Sequence, residues 1–394
     1  MVEPVTRRSV VVMDRVQRDV ERDELREWLR ARGATEEQLA QSKHDSSLVA
    51  DLALARGDRF SARDAATRTG MSPELIVDIF RSYGVTVPNA DAILFTEADL
   101  AFIAGEKHVA ANTVDEPGEG RAFMRVVANS IDRVAEAAVA LYVQGKQEEL
   151  MRSGAPLVTL AETTTAVIES AEDLGRGLGV LFRHHLRQAI ERQRVSQVGV
   201  ASPDLARVAV GFVDLAGSTA LEEELDAGEL RVLVNEFEAR AFEVAADHGG
   251  RVVKFIGDEI MAVALDPLAG CHMMMGLLSE CGVGEVRPRG GLSYGEVLFR
   301  GGDYYGREVN LAARLVQEAI PGEVLVGCSV IDAVKLDDPD CAPNAGRGRG
   351  QVGTVSDDVG NDMLVFEPAG RRLLKGFSDP VSVWSVGTPE SPGR

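Results

Sequence analysis

Two places where short apolar runs end in an aspartate constrain the fold of this 394-residue chain more than any other feature. The first is Val208 to Val213, a run that suits a buried strand, closed by Asp214 just before a Gly-Ser-Thr turn and a long helical pattern. The second is Arg251 to Val263, which reads as two apolar strands folded back at Gly257-Asp258, a hairpin signal that carries Asp258 to the tip. Taken singly, a turn aspartate often does no more than cap its turn. Taken as a pair at strand ends, Asp214 and Asp258 are hard oxygen donors. Mg²⁺ is usually held by one or two carboxylates plus substrate phosphates, so this pair suits metal ions when a polyphosphate completes the shell.

A third segment, Asp303 to Arg314 (DYYGREVNLAAR), sets Asn310 and Arg314 four residues apart on a helical pattern, where they share a face. A guanidinium fork and an amide aimed at one place suit a phosphate group. The alternative is an amphipathic helix with Arg314 in a surface ion pair. Together, and in this order, the three segments resemble the class III nucleotidyl cyclase catalytic domain, over roughly Val208 to Val386. The resemblance implies an α+β, ferredoxin-like catalytic fold with helices on one side of a largely antiparallel sheet, behind an all-α N-terminal domain. It also assigns roles. Asp214 and Asp258 would bind two Mg²⁺ or Mn²⁺ ions per active site, Lys254 and Asp303 would read the purine, and Asn310 and Arg314 would act on the transition state. Arg371 and Lys375, with Arg372 in RRLLKGF, fall where the family contacts the triphosphate.

Base choice follows from hydrogen-bond inventory. A lysine only donates and an ionised aspartate only accepts, so Lys254 suits N1 of adenine and Asp303 its amino group. Guanine would mismatch both contacts, at about 1–3 kcal/mol each. The substrate expected is therefore ATP and the activity that of an adenylyl cyclase: the ribose 3′ oxygen attacks the α-phosphorus and pyrophosphate leaves. Lys254 and Asp258 lie only four residues apart, yet they serve opposite ends of the nucleotide. One copy is not expected to do both for one ATP. The resemblance implies a head-to-tail homodimer in which one chain supplies Asp214 and Asp258 and the other Lys254, Asp303, Asn310 and Arg314, with two equivalent sites.

The chain is long enough for two or three domains, and 45% hydrophobic residues supply real cores. We expect a helical regulatory domain over 1–195, a linker over 196–206 and the catalytic domain over 207–394. Residues 1–195 carry 31 acidic against 25 basic side chains, or −6, and residues 196–394 carry 31 against 17, or −14. Such a surface argues against nucleic acid as a partner. No apolar run approaches membrane-spanning length and the start lacks a signal-peptide core, so the expectation is a cytoplasmic protein with no membrane partner. Cys271, Cys281, Cys328 and Cys341 lack tight zinc spacings and read as reduced packing residues.

The N-terminal half reads as helical from Arg18, with one helix ending at Gly33 and Thr35 capping the next. Phe60 to Val85 has the look of a helix-turn-helix with Gly70 in the turn. A DNA-binding reading of it is weakened by Asp64, Glu74 and Asp78 among Arg63, Arg68 and Arg81. Apolar stripes over 121–155 (Ile131, Val134, Leu141) and over Leu157 to Val195 (Leu174, Leu181, Leu186, Ile190) read as core-facing, the second leading into the first metal strand. Through that helix the N-terminal domain would set how two catalytic domains face each other. His184 and His185 within it suit a pH input, against the simpler reading of solvated side chains. A small apolar ligand among the N-terminal helices is another input. Residues 329–370 read as a Gly- and Asp-rich insertion, a loop by composition. The competitor from another class is a cyclase-like domain without activity that serves as a regulatory partner.

Overall fold

The computed structural model describes residues 7–42, 45–54, 57–112, 119–200, 202–215, 225–282, 286–334, 353–356 and 363–389. It divides into two compact units, Met1–His184 and His185–Arg394.

The first unit is helical: α1 (Arg7–Ala31), α2 (Glu36–Gln41), α3 (Asp45–Leu54), α4 (Ala62–Thr69), α5 (Pro73–Ser82), α6 (Glu97–Asn112), α7 (Glu119–Tyr142) and α8 (Glu148–Arg152). One π-helical turn, Val143–Gln147, joins α7 to α8. The first helix starts well before Arg18 and stops two residues before Gly33. Thr35 caps α2 through a capping box with Gln38, satisfying two backbone donors reciprocally. The helix-turn-helix expected at 60–85 is present as α4 and α5. Gly70 closes α4 at φ 71°, a left-handed conformation that only glycine adopts without penalty. Its arginines are engaged inside the module: Arg63 with Asp91, Arg68 with Glu97, and Arg81 with the carbonyls of Val87 and Pro88. Phosphate contacts to DNA would have to break these pairs.

The 40-residue helix α9 (Leu157–Ser196) begins in this unit, where Leu157, Val158 and Ala161 join the cluster around Leu25, Leu29, Leu39, Leu48 and Val49. Beyond that anchor, the expectation of core packing fails. Leu174, Val180, Leu181, Phe182, Leu186 and Ile190 are exposed, as are Ile131, Val134 and Leu141 on α7. A stripe at helical spacing is buried only where a second element reaches it, and among the described residues of one copy none covers these turns. His184 and His185 are exposed as well.

The second unit is built on one mixed sheet. Its strands are β1 (Leu205–Leu215), β2 (Gly250–Ile256), β3 (Glu259–Ala264), β4 (Pro288–Arg300), β5 (Asp303–Tyr305), β6 (Val324–Gly327), β7 (Gly353–Ser356), β8 (Met363–Arg372) and β9 (Val381–Gly387). Its helices are α10 (Ala227–Asp247), α11 (Pro267–Glu280), α12 (Arg307–Glu318) and α13 (Cys328–Ala333). The strand order is β2-β3-β1-β4-β6-β9-β8-β7, with β5 pairing β4. The stretch β1-α10-β2-β3-α11-β4 is the ferredoxin-like unit, and α10 and α11 both lie on one face of it, with α13.

Alternation along β1 divides the core. Ala209 and Val213 point to α10 and α11, while Val208, Val210 and Phe212 point to the other face. On that other face lies α12, whose Leu311, Ala312, Leu315 and Val316 are buried. The expectation of helices on one side thus holds for the ferredoxin-like unit but not for the whole sheet. β4 and β6 are parallel, and parallel neighbours need a crossover that passes over one face. With α10 and α11 filling one side, α12 makes the crossover on the other. Gly291 permits its close approach, since a Cβ there would stand 2.3 Å from the amide nitrogen of Val316 and 2.5 Å from the carbonyl oxygen of Ala312. Met273 and Met274 of α11 are fully buried, so the Met run fills core. Of the insertion expected at 329–370, the structure turns parts into α13, β7 and β8; residues 335–352, 357–362 and Cys341 lie outside the described residues.

Candidate active site

The antiparallel registers build the first part of the site. Asp214, one residue from the end of β1, sits opposite Glu259 of β3 on one side and Arg289 of β4 on the other. Oδ2 of Asp214 accepts from Arg289 Nε at 2.8 Å and Nη2 at 2.6 Å, and the two side chains are 21% and 27% exposed. Arg289 Nη1 also lies 3.4 Å from the carbonyl oxygens of Gln317 and Ala319, at the C-terminal end of α12. Gly257, at φ 65°, makes the β2–β3 turn, and Asp258 follows it immediately before Glu259. Burial, together with the charges of Asp214 and Asp258, pushes the Glu259 carboxyl up to about 6, with Arg289 opposing. This corner thus gathers the charges of Asp214, Asp258 and Arg289 around a half-buried Glu259. Its donors are carboxylate oxygens, the hard ligands that Mg²⁺ and Mn²⁺ take, and the electrostatic cost at Glu259 is the kind a divalent cation relieves. Among the described residues no group of three or more metal-ligating side chains occurs.

The second part lies on the same face. Lys254 Nζ bonds Oδ2 of Asp303, joining residues 49 positions apart, and the amide of Tyr304 donates to Oδ1 of Asp303 at 2.8 Å. Lys254 is in register with Met261 of β3, itself opposite Phe212 of β1. It thus stands two rungs from the level of Asp214. A bulge between Val252 and Lys254 allows this, because Val252 and Phe255 pack with the α10 side while Val253 joins the α12-side cluster.

Asn310 and Arg314 lie one turn apart on α12. Asn310 is exposed, and half-buried Arg314 donates from Nη1 to Gln317 Oε1 at 3.0 Å. Arg371 is one residue from the end of β8, which β4, β6 and β9 separate from β1, and its Nη2 reaches the carbonyl of Pro380 at 2.9 Å. Lys375 is exposed in the turn that follows. Within one copy, then, Asp214 meets Arg289 and Lys254 meets Asp303, while β4, β6 and β9 lie between the strand of Asp214 and that of Arg371. Sequence reasoning missed Arg289, whose only local signal is a cation at the start of an apolar strand. It also missed Glu259, next to Asp258 but visible as a neighbour of Asp214 only once β1 and β3 pair.

Family models match both units' sequences: "Adenylate cyclase regulatory domain" over residues 13–191 and "Adenylate and Guanylate cyclase catalytic domain" over 200–347. Among relatives, an adenylate cyclase of Glutamicibacter nicotianae is 32% identical over 301 residues, 71% of this chain and 72% of that protein. A pH-sensitive adenylate cyclase of Mycobacterium tuberculosis is 29% identical over 380 residues, 93% of this chain and 88% of its own length. An uncharacterized protein of the same organism is 32% identical over 322 residues, 79% and 83% of the two chains. This chain belongs to the class III adenylyl cyclases, in the branch that carries a helical regulatory domain ahead of the catalytic one.

Proposed function

We propose that the protein converts ATP to 3′,5′-cyclic AMP and pyrophosphate at sites shared by two copies, in the cytoplasm, under the control of its helical domain (1–195) acting through 196–206 on the catalytic domain (207–394). The observation that carries this reading is the Lys254–Asp303 pair, a donor beside an acceptor on the same sheet face as the Asp214–Asp258 corner. Lys254 donates to N1 of adenine and Asp303 accepts from its amino group. Asp214 and Asp258 would hold two Mg²⁺ or Mn²⁺ ions, which when bound supply a lowered pKa at the ribose 3′ hydroxyl and countercharge for the phosphates. Arg314 offsets charge that builds on the phosphoryl oxygens as pyrophosphate leaves, Asn310 orients the ribose, and Arg371 and Lys375 hold the triphosphate.

A head-to-tail homodimer follows from the short separation of Lys254 and Asp258 along the hairpin, and the exposed apolar stripe of α9 supports association of copies. Conversion of labelled ATP with Mn²⁺ by wild type, and its loss in Asp214→Ala, tests the activity. Mixing Asp214→Ala with Asn310→Ala chains tests the shared site. Recovery of about a quarter of wild-type activity is expected, because half of the dimers are mixed and each has one intact site. No recovery from two folded, dimerising variants refutes the shared site. For regulation, with a pH-sensitive adenylate cyclase among the relatives, pH profiles of the full chain and of a catalytic fragment should diverge if the helical domain carries a pH input; parallel profiles refute that input.

A further inference from the structure

Asp303 belongs to a strand with little support of its own. β5 is three residues long and pairs only with β4 among the described strands, so its position over β2 depends on side chains. Two contacts span that distance. One is Lys254 with Asp303. The other is Arg251, three residues earlier on β2, whose Nη2 donates to the hydroxyl of Tyr304 at 3.1 Å. Tyr304 is otherwise fixed: it is 8% exposed, its ring packs with Val208, Val210 and Val297, and it stands 5.0 Å from the Phe299 ring. Its main-chain amide holds Oδ1 of Asp303. Tyr304 thus bonds Arg251 through its hydroxyl and Asp303 through its amide.

Arg251 occupies this position at a cost. Its Nε is buried with no hydrogen-bond partner among the described residues, and a second guanidinium, Arg192 near the end of α9, lies close by, where burial and the Arg251 charge both push its pKa down. A half-buried position against a tyrosine ring is ordinarily filled at less cost by an apolar side chain. We propose that Arg251 and Tyr304 are positioning residues for base recognition, a brace from β2 to β5 that sets the Asp303 carboxylate against Lys254 and thereby the preference for ATP over GTP. This rests on the reading of Lys254 and Asp303 as the residues that contact the purine. Hydrogen-bond discrimination falls off steeply with misplacement of the reading group, so loss of the brace acts on selectivity before it acts on turnover.

The test uses the purified full chain with Mn²⁺, measuring kcat and KM for ATP and the competitive inhibition constant of GTP. Tyr304→Phe removes only the hydroxyl, and Arg251→Met removes the donor. Each is expected to raise KM for ATP about three- to tenfold with kcat within about twofold, and to narrow the ratio of the GTP inhibition constant to the ATP KM by a similar factor. Arg251→Lys, which keeps a donor, should recover part of the ratio. A purely structural role would lower the melting temperature and leave the ratio alone. If Tyr304→Phe does not fold, Arg251→Met carries the test. Folded variants with the wild-type ratio, alongside an Asp303→Ala control that collapses it, overturn the brace alone. An Asp303→Ala control that keeps the wild-type ratio overturns the base-reading assignment and the brace with it.

Discussion

Glu259 stands directly across from Asp214 in the β1–β3 ladder, and its replacement by glutamine tests the charge concentration at that corner. Burial and the two aspartates raise its carboxyl from 4.5 to about 6. A carboxyl whose folded-state pKa exceeds its unfolded value favours the fold most when protonated. Its contribution is fully present below pH 4.5 and is lost as the pH rises to about 6. At about 1.4 kcal/mol per pH unit, the interval from 4.5 to about 6 corresponds to about 2 kcal/mol. The carboxyl is only half-buried and keeps part of its hydration, which reduces the expected loss to about 1 kcal/mol.

Glu259→Gln keeps the shape and removes the charge. In metal-free buffer at pH 7.5 the catalytic unit should gain about 1 kcal/mol, and its stability should flatten across pH 4.5 to 6. The chain has two tryptophans. A Trp28→Phe background leaves Trp384, 2% exposed in the catalytic core, as reporter of urea unfolding with a chelator present. If Glu259→Gln is no more stable than its parent at pH 7.5 and has the same pH slope, the acids do not repel and the electrostatic reading of the corner is wrong.

Gly291→Ala should destabilise the catalytic unit by about 3 kcal/mol or more, because the new methyl meets rigid α12 backbone rather than a flexible side chain; the same urea experiment measures it. Asp226→Ala should cost about 1 kcal/mol in that assay, since Oδ1 of Asp226 accepts from the amides of Gly228 at 2.7 Å and Glu229 at 2.9 Å to cap α10. Cys271 and Cys281 should resist a thiol reagent at pH 8 in the native state and react on unfolding. Burial pushes the Cys281 thiol up to about 11 and that of Cys271 higher still. Rapid labelling of either cysteine in folded protein, read by mass spectrometry, contradicts the packing described here.

How much was legible in the sequence depended on range. Strand-end positions for Asp214 and Asp258, the helical face shared by Asn310 and Arg314, the Thr35 cap and the turn at Gly70 all follow from patterns a few residues long. Those patterns act through backbone geometry that neighbours along the chain control. The apolar stripes of α7 and α9 were legible as stripes, but not what covers them. Periodicity marks a face and leaves its partner open.

Composition, motif order and local periodicity were thus sufficient for the class of fold and for the family. Tertiary structure alone decided that Arg289 lies on Asp214, that Glu259 stands opposite it, that Lys254 meets Asp303, that Arg251 bonds Tyr304, and that α12 crosses on the face opposite α10 and α11. Each of these depends on strand order and register between segments tens of residues apart, and on which face a crossover takes. Such choices are made by burial of the whole sheet, and no single stretch of sequence encodes them.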